Sequence, residues 1–400
     1  MFENVVVRGR DEVRSRIRDL LIHIRSNTGR IILLEGAPGI GKSILLKKTR
    51  DLGEEFGFRL APSGVSLFDT TQSSGAAHSW CTRQPSGQPL LVLADDAQLA
   101  APEAVRRLSW LPGLLSARPL CLVLARVPGM GGTELNRLLT TASTLVHPIR
   151  LNPLDAASFD AMLGDLLGAR PDEPLRQAAA ELGGNPRLLV DLVTGLRAED
   201  GIETADGIAR LRGTVPPERL RTTLVHKVRS LTPPTRKLVQ VGAGLGRAFL
   251  LADAAKLLRE APGNLLLCAD EALAAGLLVE SGERLSFPGR LVWQGVADSV
   301  APSVFAPLRA EAEALLGEST AENRESDDEA GQESSARWSR LTSAERHIAK
   351  LVGSGLTNRQ VARDAMISTH TVNYHLRSIY RKLGIRSRVD LTRLIHQNPR

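Results

Sequence analysis

The stretch that most limits the possible folds is Arg30 to Ser43, RIILLEGAPGIGKS. Six residues of apolar strand pattern run into a glycine-rich turn, and a helical pattern opens at about Lys42. Gly36-Ala37-Pro38-Gly39-Ile40-Gly41-Lys42-Ser43 matches GxxxxGK[ST] at every fixed position, between the strand and the helix that such a loop requires. The glycines let the backbone wrap a phosphate with its N–H groups, and the helix N-terminus adds a favourable dipole. Lys42 is expected to reach the β- and γ-phosphates of a nucleotide, and the Ser43 hydroxyl to ligate Mg²⁺. The competing reading is a chance match in a glycine-rich loop, against which the flanking strand and helix weigh.

Further apolar runs follow at Leu90–Ala94, Pro119–Ala125 and Thr144–Leu151, separated by helical patterns. Strands alternating with helices predict a parallel α/β sheet. The run at 90–94 ends in Asp95-Asp96. One carboxylate at such a strand end can hold the metal and the next can orient an attacking water, which assigns Asp95 to Mg²⁺ and Asp96 to the water. An exposed pair of strand-end aspartates is the plainer alternative. Arg126 ends the third run, where a cation could sense a γ-phosphate or simply face solvent. Gly184-Asn185-Pro186 reads equally as part of a base pocket, through Pro186, or as a turn between helices. Arg8-Gly9-Arg10 precedes the first helix and could line the base, with Arg10 as the candidate contact.

From Asp155 to Glu199 the pattern is helical, and from about Val215 to Leu316 mainly helical. Leu277–Glu280 and Arg284–Phe287 flank Ser281-Gly282-Glu283, a hairpin after helices that resembles the wing of a winged-helix domain. Residues 317–337 contain seven acids, two arginines and almost no large apolar side chain. Such a segment cannot bury enough surface to offset its chain entropy, so a disordered linker is expected there. The expected domains are a P-loop α/β domain over 1–153, a helical lid over 154–214, a winged-helix-like region over 215–316, the linker, and an all-α domain over 338–400.

Charge sharpens this division. The chain carries +7 in total, yet residues 338–400 hold twelve Lys and Arg against three Asp and Glu. Basicity gathered in one small terminal module is the footprint expected of a nucleic-acid reader. Cys81, Cys121 and Cys268 lie far apart without CxxC spacing, which speaks against a zinc site or a disulfide framework. Cys121, inside an apolar run, reads as a small core residue. Met1 to Arg18 is charged throughout, and no apolar run reaches the ~18 residues of a membrane helix, so a cytoplasmic protein with no membrane partner is expected.

Within the basic module, Thr342 or Ser343 caps a helix that Gly355 breaks, Asn358 to Ala365 forms a second, and Ser368 caps a third. Val372, Leu376, Ile379 and Leu383 recur at helical spacing and should face a core. The opposite face presents Thr369, His370, Asn373, Tyr374 and Arg377. This is a helix-turn-helix layout, with the third helix as the groove-reading one.

Taken together, the GRD segment at Gly9-Arg10-Asp11, the GxxxxGKS loop, LLVLADD, the strand ending in Arg126 and the GNP triplet resemble STAND-type, AAA-like signal-transduction ATPases. The C-terminal module resembles the LuxR-type (GerE-type) helix-turn-helix, and the combination resembles the ATP-binding LuxR-type regulators of actinobacteria. That resemblance implies ATP with Mg²⁺ as a switch ligand and duplex DNA as target. It also implies RNA polymerase as a partner and a homo-oligomer, dimeric on DNA. It nominates Asn373, Tyr374 and Arg377 as base readers, the first suited to adenine and the last to guanine. Thr357, Asn358, Thr369, Thr371, Arg381, Lys382 and Arg388 complete the expected DNA contacts, mostly to phosphates, which position the domain without reading sequence. The helix after Arg388 reads as a dimerisation helix or as closure of the core.

The chain departs from the family in three ways. Only the acidic linker stands where a long helical-repeat sensor often lies. Residues 63–88 are short and Gly/Ser-rich. Gly289, in Phe287-Pro288-Gly289-Arg290-Leu291-Val292, occupies a position where the family often has His. The function expected is a sequence-specific, ATP-binding transcription regulator. Its rivals are a turnover ATPase that remodels DNA or an initiation complex, and a DNA-binding protein with a vestigial nucleotide fold.

Overall fold

The computed structural model describes residues 8–26, 28–62, 76–85, 87–130, 132–213 and 215–315, with positions 349, 351, 352, 361, 376 and 379 of the C-terminal segment. The chain forms two compact units, Met1–Ala312 and Glu313–Arg400.

The first unit opens with α1 (Asp11–Ser26), β1 (Arg30–Gly36), α2 (Lys42–Glu55), β2 (Arg59–Leu60) and α3 (Ala76–Arg83). It continues through β3 (Leu90–Ala94), α4 (Pro102–Arg106), α5 (Leu111–Ala117), β4 (Leu120–Arg126), α6 (Gly132–Thr141) and β5 (Val146–Leu151). The five strands are all parallel and lie in the order β2-β3-β4-β1-β5. The parallel sheet expected from the apolar runs is therefore present. The run expected to begin at Thr144 starts as a 3-10 turn over Ser143–Leu145 before β5 extends. The two-residue edge strand β2 is too short to leave a period in the sequence.

Both faces of the sheet are buried, and alternation along each strand divides the side chains between them. Ile31, Leu33, Leu90, Val92, Leu120, Leu122 and Leu124 pack with Leu111, Leu115 and Leu135 on one face. Ile32, Leu34, Cys121, Val123 and Ala125 pack with Ile17, Leu21, Ile24 and Leu45 on the other. Each such Leu or Ile contributes about 1.5–3 kcal/mol by leaving water, so continuous apolar runs are what this sheet demands. All three cysteines are buried, Cys121 within β4.

Next come α7 (Ala156–Leu167), β6 (Arg170–Pro171), α8 (Glu173–Ala180), α9 (Pro186–Ala198), β7 (Ile202–Ala205) and β8 (Ile208–Leu211). Asp155, Asp172 and Asn185 cap the three helices, each accepting from backbone N–H groups of the first turn. Strands β6, β8 and β7 make a small sheet beside these helices.

The rest of the unit is α10 (Glu218–Arg229), α11 (Pro233–Leu245), β9 (Ala248–Phe249), α12 (Leu251–Leu258), α13 (Leu266–Ala274), β10 (Val279–Ser281), β11 (Arg284–Ser286) and α14 (Arg290–Ala297). Residues 302–315 are helical as well. The β10–β11 hairpin pairs antiparallel, and β9 adds to β11, so helices 11 to 13 carry the three-stranded sheet of a winged helix.

In the second unit, Ala349, Leu351, Val352, Val361, Leu376 and Ile379 are helical. Leu376 and Ile379 are buried, as their spacing predicts, and so are Ala349, Val352 and Val361. The acidic stretch 317–337 lies outside the described residues.

Candidate nucleotide site and nucleic-acid interface

The sheet order fixes where a ligand can sit. The chain leaves β1, crosses to the far edge at β2, and later returns to the other side of β1 as β5. Ligands of parallel sheets bind at the carboxyl ends of the strands near such a reversal, where β1 runs into residues 36–43.

Gly39 and Gly41 have φ of 82° and 109°, a left-handed backbone that favours glycine. Ile40 between them is 2% exposed and anchors the loop in the core, its N–H donating to the Ala37 carbonyl at 3.2 Å. Lys42 is buried, and its Nζ donates to the carbonyls of Gly36 at 2.8 Å and Ala37 at 3.0 Å. Burial lowers its pKa, opposed by the carboxylates of Asp96 and Asp95. Ser43 is exposed at the head of α2, open to a metal, whereas Pro38 lies exposed on the loop's outer side.

Asp95 and Asp96 are exposed at the end of β3. Asp95 Oδ1 accepts from the Asp96 N–H at 2.9 Å, and Asp96 has φ of 46° with its Oδ1 accepting from Gln98 Nε2 at 2.9 Å. Both carboxylates sit at one strand end, and their charges act on Lys42.

Arg126 ends β4 as expected, but its guanidinium is already engaged. Nε donates to Glu35 Oε1 at 2.9 Å and Nη1 to Asn136 Oδ1 at 2.8 Å, and both members of the Arg126–Glu35 pair are buried. Strands β1 and β4 place Glu35 directly beside Arg126 in register. Arg10 is likewise committed, donating to the carbonyls of Ile40 at 3.2 Å and Asn152 at 2.7 Å. Burial lowers its pKa, which the carboxylate of Asp155 opposes. It braces the loop from behind.

The GNP turn reaches the loop. Asn185 Nδ2 donates to the Pro38 carbonyl at 3.1 Å, while its Oδ1 caps α9. A Cβ placed on Gly39 would stand 2.6 Å from Arg187 Cβ, so the start of α9 presses on the loop. Pro186 is half-buried at the first position of α9. From Arg187 a polar chain runs onward. Asp191, fully buried, accepts from Arg187 Nε and Arg219 Nε, each at 2.9 Å, and from Thr223 Oγ1 at 3.1 Å. Glu35 and Asp191 were not singled out from sequence. Asn185 was read there only within the Gly184-Asn185-Pro186 triplet, whereas its role here is to cap α9 and hold the Pro38 carbonyl.

The residues present suit a nucleotide with Mg²⁺: a backbone cradle, a buried ammonium held only by carbonyls, an exposed hydroxyl and two nearby carboxylates. Among the described residues no cluster of three His, Cys, Asp or Glu could hold a metal by itself, so a bound Mg²⁺ would lean on phosphate and water ligands.

The DNA contacts expected at Thr357, Asn358, Thr369, Thr371, Asn373, Tyr374, Arg377, Arg381, Lys382 and Arg388 lie outside the described residues. The segment that holds them is similar to known proteins. Residues 339–395 match the luxR family of bacterial regulatory proteins. An HTH-type transcriptional regulator of Mycobacterium bovis is 44% identical over 54 residues, which are 14% of this chain and 6% of that protein. The nitrate/nitrite response regulator NarL of Escherichia coli is 39% identical over 57 residues, covering 14% of this chain and 26% of NarL. The matched segment is a LuxR-type helix-turn-helix. This chain spans only a small part of those relatives, so the likeness concerns that module alone. A Walker-type ATPase of Pyrococcus abyssi superposes over 72% of this chain and 96% of its own, at 16% identity and a TM-score of 0.48. Among the described residues no helix is long and apolar enough to cross a membrane.

Proposed function

We propose that this protein is a sequence-specific, LuxR-type DNA-binding transcription regulator whose P-loop unit binds ATP with Mg²⁺ as a switch ligand. The luxR match at 339–395 is the observation that carries the DNA-binding reading. In this reading residues 36–43 cradle the phosphates, Lys42 neutralises them, and Ser43 with Asp95 holds the metal. Bound Mg²⁺ would supply charge neutralisation at the phosphates. Asp96 orients water if hydrolysis occurs. Arg10 shapes the cradle through Ile40, and Pro186 with the start of α9 borders the base.

The sealing of Arg126 by Glu35 favours a switch over rapid turnover. A cation held at 2.8 Å by a buried carboxylate is not free to follow charge developing on a phosphate. The domain limits proposed are those expected from the sequence, 1–153, 154–214, 215–316 and 338–400, with 317–337 as linker. Partners in this reading are duplex operator DNA and RNA polymerase, with dimerisation on DNA through the module's last helix.

The test is to map binding sites genome-wide with the full chain, then titrate one recovered duplex without nucleotide, with ADP, and with a non-hydrolysable ATP analogue. A nucleotide-dependent change in affinity or stoichiometry is expected. Site-specific binding that ignores nucleotide would leave a DNA-binding protein with a vestigial nucleotide fold. Phosphate release strongly stimulated by DNA would favour the turnover ATPase.

A further inference from the structure

We propose that Lys227, on α10 and outside the P-loop domain, contacts the terminal phosphate of a bound nucleoside triphosphate, so that the winged-helix region distinguishes triphosphate from diphosphate. The proposal rests on the nucleotide reading above and adds to it a residue that no phosphate-loop motif includes.

The geometry begins at Gly276, in the turn after α13. A Cβ built there would lie 3.0 Å from Ala37 Cβ, in the phosphate loop, and 3.8 Å from Lys227 Nζ. The turn after α13, the loop and the lysine head therefore meet at one point. Ala37 is also one of the two residues whose carbonyls hold Lys42 Nζ. Two ammonium groups thus converge on the same end of the loop.

Among the described residues no carboxylate pairs with the second cation. Among them the Lys227 ammonium has neither a hydrogen bond nor an ion pair, and the like charge of Lys42 acts on it. Burial and Lys42 together push its pKa down to about 8. A half-buried cation without a partner, facing another cation across a backbone cradle, is costly unless an anion enters between them. The N–H groups at the start of α2 can satisfy an inner phosphate. Lys227 approaches from the Ala37 side, which Lys42 also faces, and so is placed for the outermost one.

Helix α10 is also wired to the loop by a second route. Thr223 lies one turn before Lys227 on the same face, and it donates to Asp191, which holds Arg187 beside Gly39. Occupancy of the terminal-phosphate position would pull on α10 directly at Lys227, one turn from Thr223, which Asp191 and Arg187 tie to the loop. Differential contact of this kind is what a ligand needs to shift an equilibrium between two states.

The experiment uses the full chain and equilibrium titration with ADP and a non-hydrolysable ATP analogue, both with Mg²⁺. Wild type is compared with Lys227→Met, Lys227→Arg and, as a control on the loop itself, Lys42→Ala. Lys227→Met is expected to lose about tenfold or more in affinity for the triphosphate, the worth of one charge-assisted hydrogen bond, with ADP affinity kept within about twofold. Lys227→Arg should retain most of the triphosphate affinity, and Lys42→Ala should lose both ligands. An unchanged triphosphate affinity in Lys227→Met overturns the proposal, as does an equal loss of both nucleotides. Failure of wild type to bind either nucleotide removes the nucleotide reading itself, and the proposal with it.

Discussion

Single buried residues around the phosphate loop, one paired and one unpaired, make separable predictions. Glu35 and Arg126 form a buried pair at 2.8 Å. Glu35→Ala leaves the guanidinium buried with only Asn136 and the Met130 carbonyl, and breaking such a pair costs about 3–5 kcal/mol. A large fall in the urea midpoint is expected, and a midpoint within error of wild type would show the pair to be dispensable. Lys227 carries a pH dependence of definite sign. Its folded-state pKa, about 8, lies below that of a free lysine. Below pH 8 both folded and unfolded chains hold the proton, and the folded state bears the full penalty. Between pH 8 and about 10.4 the unfolded chain binds more protons, so rising pH favours folding. Without nucleotide, wild type should gain stability relative to Lys227→Met across that window. A constant gap in melting temperature from pH 7 to 10 would contradict this.

Among the elements, the decisive contact is between the turn that precedes α9 and the start of α14. The Arg290 N–H donates to Glu181 Oε2, and a Cβ on Gly289 would stand 2.3 Å from the Glu181 carbonyl oxygen. Backbone thus fills the space that any side chain at position 289 would need. Gly289→Ala should destabilise the unit by about 1–3 kcal/mol, because overpacking here must separate two backbones rather than turn a side chain. Gly289→His should cost more. Thermal melts of both variants check this, and a histidine variant as stable as wild type would show that the turn yields easily. The elements themselves were largely legible beforehand. The runs at 30–35 and 90–94 read as strands because each is apolar on both faces, as a buried parallel strand requires. The β7–β8 hairpin and the edge strand β2 were not, since two to four residues of mixed polarity carry no usable period.

For the whole molecule, charge is divided as the proposed function needs it: twelve basic residues against three acidic ones in 338–400, in a chain of net charge +7. Arg377→Ala should cost about 1–3 kcal/mol on a cognate duplex and relax specificity there, as expected for a bidentate contact to guanine. Lys382→Ala should weaken cognate and random duplexes alike and make the log–log salt dependence shallower. Titrating both variants on both duplexes at several salt concentrations separates the roles; equal losses on both duplexes for Arg377→Ala would reduce it to a phosphate contact. Sequence alone determined the phosphate loop, the strand-end aspartates and the helix-turn-helix pattern. Each is a local arrangement, in which spacing along the chain sets geometry within a single strand, turn or helix. Only the tertiary structure decided the rest: that Glu35 occupies Arg126, that Asn185 holds Pro38 across 147 residues, and that Ala37 and the Lys227 ammonium both lie beside Gly276. Those contacts join elements brought together by a shared core, and no periodicity in the chain records which polar groups that packing will bring face to face.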